Sequence, residues 1–234
     1  MAPMDATLGA APPRYYNEVA SSTPLWAWAR IFLRHLSPRL IVLALVVCMA
    51  LRLALGGFGL GDLITAAVVV ALQPFQEWNI HVFILHFRPR RTRKGKKVDL
   101  YIARKHRAHH VDPNHIGLTL VQTPALVGLI AGFAVITAAI LRSPLALTAD
   151  VAGFTMLMAY EWTHFIIHSG WAPRSWIYKR IWRAHRLHHF KNEHYWFGIT
   201  SHLADHILRT YPDKAAVETS PTARDLHGEV LLAQ

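Results

Sequence analysis

The sequence predicts an all-α integral membrane protein: four transmembrane helices in two hairpins with a cytosolic helical histidine-rich cap. Three observations predict it. Four long apolar stretches are joined in pairs by short links, the basic residues gather on one side of those stretches, and histidines recur at their rims. Composition agrees. Of 234 residues, 53% are hydrophobic, yet the formal net charge is +11, and mean hydropathy is +0.21. A basic soluble domain would suggest nucleic acid as partner. Here the cations flank apolar runs, the pattern of the positive-inside rule, so no nucleic-acid partner is expected.

The elements follow in order. Residues 1–25 form an Ala- and Pro-rich segment with Asp5 ahead of any basic residue. It lacks the basic start and compact apolar core of a signal peptide, and reads as a flexible cytosolic tail. Span one is Leu40 to Leu55, interrupted by Arg52, whose long stem is expected to snorkel to the far interface. Span two begins as Leu63 to Leu72. It continues past Pro74, Gln76 and Glu77 to Ile80 and Phe87, long enough to cross if Pro74 only kinks it. Span three is Val121 to Leu141, and span four is Leu145 to Ile167. The links Gly56 to Asp62 and Arg142 to Pro144 are short enough for helical hairpins. A three-span arrangement with a re-entrant second segment is the alternative topology.

Arg30, Arg34 and Arg39 precede span one, and Arg88 to Lys97 holds seven cations without an acid. Arg174, Lys179, Arg180, Arg183, Arg186 and Lys191 follow span four. Four spans put all three groups on one side, with both termini cytosolic. The membrane domain is expected over 26–212, and 213–234, without sustained periodicity, as a flexible tail. The lone Cys48 permits neither an intrachain disulfide nor a cysteine metal site.

The histidines carry the chemistry. A spaced pair near the end of an apolar run, then H-x-x-H-H in a basic segment, occurs twice. The first copy is His81, His86, His106, His109 and His110; the second is His164, His168, His185, His188 and His189. Residues three and four apart share a helix face, so each H-x-x-H-H set is expected to point one way, as are His164 and His168. His81 and His86, five apart, lie roughly 140° around an ideal helix and converge only if that helix is distorted. Ten imidazoles are too many for one ion and suit two, with coordination positions left for O2. Iron accepts such donors. Zinc would also bind, but a zinc hydrolase manages with three ligands and a water. Glu77 and Glu161 each sit one turn behind a proposed ligand, where either could accept a ring N–H of His81 or His164, or could bond to neighbours such as Gln73, Gln76 or Trp162. His35 and His227 read as surface residues. His115, His194, His202 and His206 read as bystanders or supports of the ligands.

At these residues the chain resembles the fatty acid hydroxylase superfamily, which includes fatty acid 2-hydroxylases, sterol C4-methyl oxidases and sterol C5-desaturases. The histidine spacing is most similar to the fatty acid 2-hydroxylase branch. Glu77-Trp78-Asn79-Ile80-His81 resembles its E-Y-x-I-H, and Tyr160-Glu161-Trp162-Thr163-His164 resembles its Y-D-x-T-H with Glu for Asp. Phe197-Gly198-Ile199-Thr200 with the later Asp205 resembles its F-G-[IV]-[ST] stretch and following Asp. The similarity covers about residues 75 to 212. It implies a four-helix membrane bundle with a cytosolic cap, two iron ions held by the ten histidines, and Glu77, Glu161 and Asp205 as supports behind them. It also implies O2-dependent oxidation of a lipid C–H bond, in a fatty acyl chain or ceramide-like lipid, with the chemistry assigned to the metal centre. No H-P-G-G haem segment is present, so electrons are expected from a separate carrier, cytochrome b5-like or a ferredoxin, with its reductase. A sterol or hopanoid oxidase or desaturase is the nearest alternative, and a non-catalytic membrane metal-binding protein is the alternative from another class.

Overall fold

Nearly every long element is a helix in the computed structural model, which describes residues 13–226. A short amphipathic α1 (Leu25–Phe32) leads into α2 (Leu36–Leu55). The chain returns as α3 (Leu60–Asn79), which passes through Pro74 without a break and ends in a π-helical turn, Ile80–Leu85. A two-stranded hairpin, β1 (Arg90–Arg91) and β2 (Lys97–Val98), precedes α4 (Tyr101–Val111) and the single turn α5 (Ile116–Thr119). The second helical hairpin is α6 (Thr123–Ile140) and α7 (Leu145–His168). Then come α8 (Trp176–Phe190) and α9 (Leu203–Ile207).

The centre of the bundle is α7, which packs against α2, α3 and α6. Its buried face runs from Ala146 and Ala149 through Phe154 to Phe165 and Ile166. Ile41 and Leu126 meet Phe154 on one side, and Phe32, Trp28 and Tyr16 meet Phe165 at the histidine end. Two stretches, Leu36–Leu55 and Ile116–Ile140, are long and apolar enough to cross a membrane. Only 17% and 11% of their apolar windows are buried within the protein. A soluble core helix would be mostly covered, so these uncovered faces suggest a membrane protein. The helices α3 and α7 are of similar length but carry Gln73 and Glu77, or Asp150 and Glu161, on their packed sides.

Arg52 does not snorkel. It is 2% exposed and its guanidinium contacts Asp62 at 2.6 Å, the Gly56 carbonyl at 2.7 Å and Thr148 at 2.8 Å, with the Phe58 ring above it. The short α2–α3 link makes this possible. Asp62 caps the start of α3 by accepting from Gly59 N–H, which leaves a carboxylate one turn inside the hairpin for Arg52 to reach.

The expected tails are packed where they are described; residues 1–12 and 227–234, including His227, lie outside the described residues. Tyr16 is buried, its hydroxyl bonded to Thr119, and the backbone of 14–16 pairs with 114–116. Val217, Ala223 and Leu226 are buried at the other end. Single apolar residues at irregular intervals carry no periodic signal, so the sequence pattern missed both segments.

Candidate metal centre

Ten imidazoles meet at the end of the bundle where α3, α4, α7 and α8 converge. His81 and His86 come from the π turn, His106, His109 and His110 from α4, His164 and His168 from α7, and His185, His188 and His189 from α8. The turn resolves the awkward spacing of the first pair. The His86 N–H reaches the His81 carbonyl at 3.0 Å, an i+5 bond, and the wider turn brings residues five apart onto one face. Their ring centroids lie 5.0 Å apart.

The ten sort into two sets, His81, His86, His106, His110 and His188, and His109, His164, His168, His185 and His189. Within each set, one nitrogen per ring lies within 4.8 Å of all the others. Nitrogens this close together could share one ion at the usual metal–imidazole distance of about 2.1 Å after small ring movements. The sets differ from the two sequence copies: His109 and His188 have exchanged places. On an ideal helix the first and last histidines of H-x-x-H-H lie about 40° apart, while the two adjacent ones lie about 100° apart. His106 and His110 therefore face one set and His109 the other, and α8 repeats the division with His185 and His189 against His188. The expectation that each motif points one way was wrong for that reason. The sets adjoin, with His110 stacked on His189 at 4.1 Å.

The donor set fits a metal on two counts. Four rings give their Nδ1 to backbone carbonyls: His81 to Phe197 (2.7 Å), His110 to Ala223 (2.9 Å), His164 to Thr119 (2.7 Å) and His188 to Tyr195 (2.8 Å). An Nδ1–H donated to a carbonyl leaves Nε2 as a lone-pair donor facing the set. Several inward nitrogens, both of His109 and Nε2 of His164 and His188, are buried without a hydrogen-bond partner. That is costly unless a cation engages them. Burial first, and neighbouring imidazoles next, push His106, His109, His185 and His189 well below the usual histidine range. They are neutral at neutral pH, the form that ligates.

The acids act differently from one expectation. Neither Glu77 nor Glu161 bonds to the histidine one turn ahead, because backbone carbonyls already occupy those Nδ1 atoms. Glu77 instead accepts from the N–H groups of Ile199 and Thr200, the Thr200 hydroxyl and the Gln73 amide. Glu161 accepts from Ser37 (2.8 Å) and the Val121 N–H (2.7 Å), tying α2 and the entry to α6 onto α7. Asp205, fully buried, accepts from the Phe197 N–H (3.0 Å), the Gly198 N–H (2.7 Å) and Thr210 (2.6 Å).

Glu77 and Asp205 thus grip one loop, 195–200, at adjacent pairs of residues, and that loop offers the Tyr195 and Phe197 carbonyls to His188 and His81. Trp196 between them has φ of 58°, a left-handed conformation that turns the chain there. Gly198 is obligatory: a Cβ would fall on the Ser201 carbonyl oxygen and within 2.8 Å of an Asp205 carboxylate oxygen. The F-G-I-T stretch marked this loop in the sequence; its role as carbonyl donor was not readable, since every residue has a carbonyl.

Of the remaining histidines, His194 is exposed, His115 packs edge-on to Tyr15, and His202 and His206 rest on Tyr211. His35, expected at the surface, is half-buried beside Phe165 because α1 folds back over α7.

An apolar cavity of about 420 Å³ leads towards the histidines. It runs over α7 between α3 and α6 and is lined at its inner end by Leu85, Ile102, Val121 and Tyr160. The same four residues line a small chamber of about 40 Å³ that touches His106 of one set and His164 of the other.

A helical bundle with uncovered apolar faces and two five-imidazole sets at one end belongs to the class of histidine-rich, membrane-type metalloproteins. The chain belongs to the fatty acid hydroxylase family, whose profile matches residues 66–210, more than half its length. It is 28% identical over 146 residues to the dihydroceramide fatty acyl 2-hydroxylase FAH2 of Arabidopsis thaliana, covering 62% of this chain and 59% of that protein. It is 30% identical over 146 residues to the fatty acid 2-hydroxylase of Homo sapiens, covering 61% and 38%. The chain thus spans little more than half of the first relative and well under half of the second. A solved structure of full-length scs7p, in which only the hydroxylase domain is visible, shares the fold, with a TM-score of 0.61 and 21% identity over 85% of this chain and 70% of that one.

Proposed function

We propose that the chain is a membrane-bound oxidoreductase, a di-iron, O2-dependent hydroxylase of a lipid C–H bond in a fatty acyl chain or ceramide-like lipid. The observation that carries this reading is the meeting of two five-imidazole sets with the inner end of an apolar slot. The names of the relatives support the substrate class.

Bound iron would supply the O2 activation and C–H oxidation. The ten histidines would hold it, five to each ion. Zinc suits the same donors, but hydroxylation needs a redox-active ion. The chain's own part is positional. The four Nδ1-to-carbonyl bonds fix ring orientation and leave Nε2 for the metal. Glu77, Asp205 and Glu161 hold the loops that make three of those bonds, to His81, His188 and His164. The slot seats an alkyl chain, excludes water from it and delivers one end to the chamber beside His106 and His164.

In this reading α2, α3, α6 and α7 are the four spans of a membrane domain over 26–212, with the cap and both termini cytosolic. Arg88, Arg90, Arg91, Arg93, Lys94, Lys96 and Lys97 are all exposed on the hairpin after His86. They would receive an acidic electron carrier of the cytochrome b5 or ferredoxin type, close to the first histidine set.

Metal analysis of detergent-purified protein tests the centre, with two ions per chain expected. Comparing lipids of cells carrying wild type or His109→Ala tests the reaction, with a lipid that has gained one oxygen atom expected in wild type only. Products that are oxidised sterols or hopanoids, or lipids lacking a hydrogen pair, would move the assignment to the oxidase or desaturase relatives. Identical lipids in the two strains would leave a metal-binding protein without catalysis.

A further inference from the structure

The slot that leads to the histidines has a built end wall. The lining residues farthest from the histidines along each helix are Val69 on α3, Phe133 on α6 and Gly153 on α7. Along α3 and into its π turn the lining runs from Val69 to Ile80, eleven residues, so the slot is roughly 16 Å long at 1.5 Å per helical residue. Val69 and Gly153 stand at comparable depth, twelve residues before His81 and eleven before His164.

The Phe133 ring lies directly on the Gly153 backbone. A Cβ built at Gly153 would come within 2.5 Å of Cε1 and 2.7 Å of Cζ of that ring. Glycine inside a helix costs about 1 kcal/mol relative to alanine, and here its missing side chain is the space the ring fills. Phe154 backs the ring at a centroid distance of 5.9 Å. One turn further from the histidines, the Thr137 hydroxyl donates to Asp150 at 2.7 Å, clasping α6 to α7 behind the ring. The wall is therefore seated, backed and latched.

We propose that Phe133, seated on Gly153, is the floor of an acyl slot and sets the longest straight chain the protein accepts. This rests on the lipid reading of the site but not on the oxidation chemistry. Each additional methylene buried is worth about fourfold in affinity. Room for two more carbons would thus shift the ratio of longer to shorter chains retained by about fifteenfold.

The test is retention, which needs no turnover. Full-length protein in detergent is exposed to an equimolar mixture of straight-chain saturated fatty acids of graded length, washed, and its bound lipid measured by mass spectrometry. Phe133→Ala and the milder Phe133→Leu should move the retained distribution to longer chains, the first by more. Gly153→Ala, which drives the ring into the slot, should move it to shorter ones, and circular dichroism checks that each variant is folded. Opposite shifts support the floor even if no hydroxylated product is ever found, in which case the reaction assignment alone fails. An unchanged distribution in folded variants, the same direction of shift in both, or no retained fatty acid at all would overturn it.

Discussion

Replacing Asp205 by alanine separates the support of a ligand from the ligand itself. Asp205 hydrogen-bonds to none of the ten clustered histidines; its carboxylate takes the N–H groups of Phe197 and Gly198 and the hydroxyl of Thr210. Alanine leaves two buried N–H groups without an acceptor, at about 1–3 kcal/mol each, so the folded state should lose on the order of 2–6 kcal/mol. The loop would relax from its left-handed turn at Trp196, and the Phe197 carbonyl would drift from His81 Nδ1. Loosening an outer partner of a ligating imidazole typically costs 10–100-fold in metal affinity. The assay is a competitive titration against a chelator, paired with thermal unfolding of metal-free protein. Asp205→Asn, which keeps one acceptor oxygen, should fall between alanine and wild type in both. A variant with lowered Tm but unaltered metal affinity would refute the reasoning, because the carboxylate would then support the fold without aiming the carbonyl.

Glu77→Gln should destabilise more than Glu161→Gln in thermal unfolding, since Glu77 faces four donors and an amide NH2 would confront some of them, whereas glutamine at 161 can keep its oxygen towards Ser37 and Val121. Arg52→Met should lower Tm by stranding Asp62, and adding Asp62→Leu should recover part of the loss, less the cap that Asp62 gives α3, read as the coupling energy of a double-mutant cycle. His202 is pushed down to about 4, by burial first and then by His206 and Arg180. Its folded value lies below the unfolded one, so its contribution is complete above about pH 6.5 and is lost as pH falls towards 4, reaching about 3 kcal/mol. His202→Phe should flatten that part of the Tm-against-pH curve.

The sequence made the helices legible where a long apolar run met a short link, and the histidines legible because imidazole is rare at membrane rims. All ten indicated positions stand in the two sets, and the distortion demanded by His81 and His86 is present as the π turn. What was not legible depended on partners distant in sequence. Arg52 looked like a residue seeking water because its acceptor, Asp62, lies across a turn. Glu77 and Glu161 looked like partners of the next histidine because one turn is the only neighbour relation a sequence displays; the actual partners of those rings are the carbonyls of Phe197 and Thr119, 116 and 45 residues away. The slot and its floor depend on Gly153 facing Phe133, a relation between two helices that no single-helix pattern contains.

The trade of His109 for His188 has a consequence for how the protein assembles. Each half of the chain owns four of the five donors around one centre and surrenders its last to the other. Neither set is complete until both hairpins have docked, so in the proposed reading metal capture would report the finished tertiary structure rather than either part of it. A cation gripped by one set would hold α4 and α8 against each other, and the opposite five donors would inherit that alignment. By linkage the benefit would run equally in both directions, which would make the pair of sites a single thermodynamic unit shared by two helices.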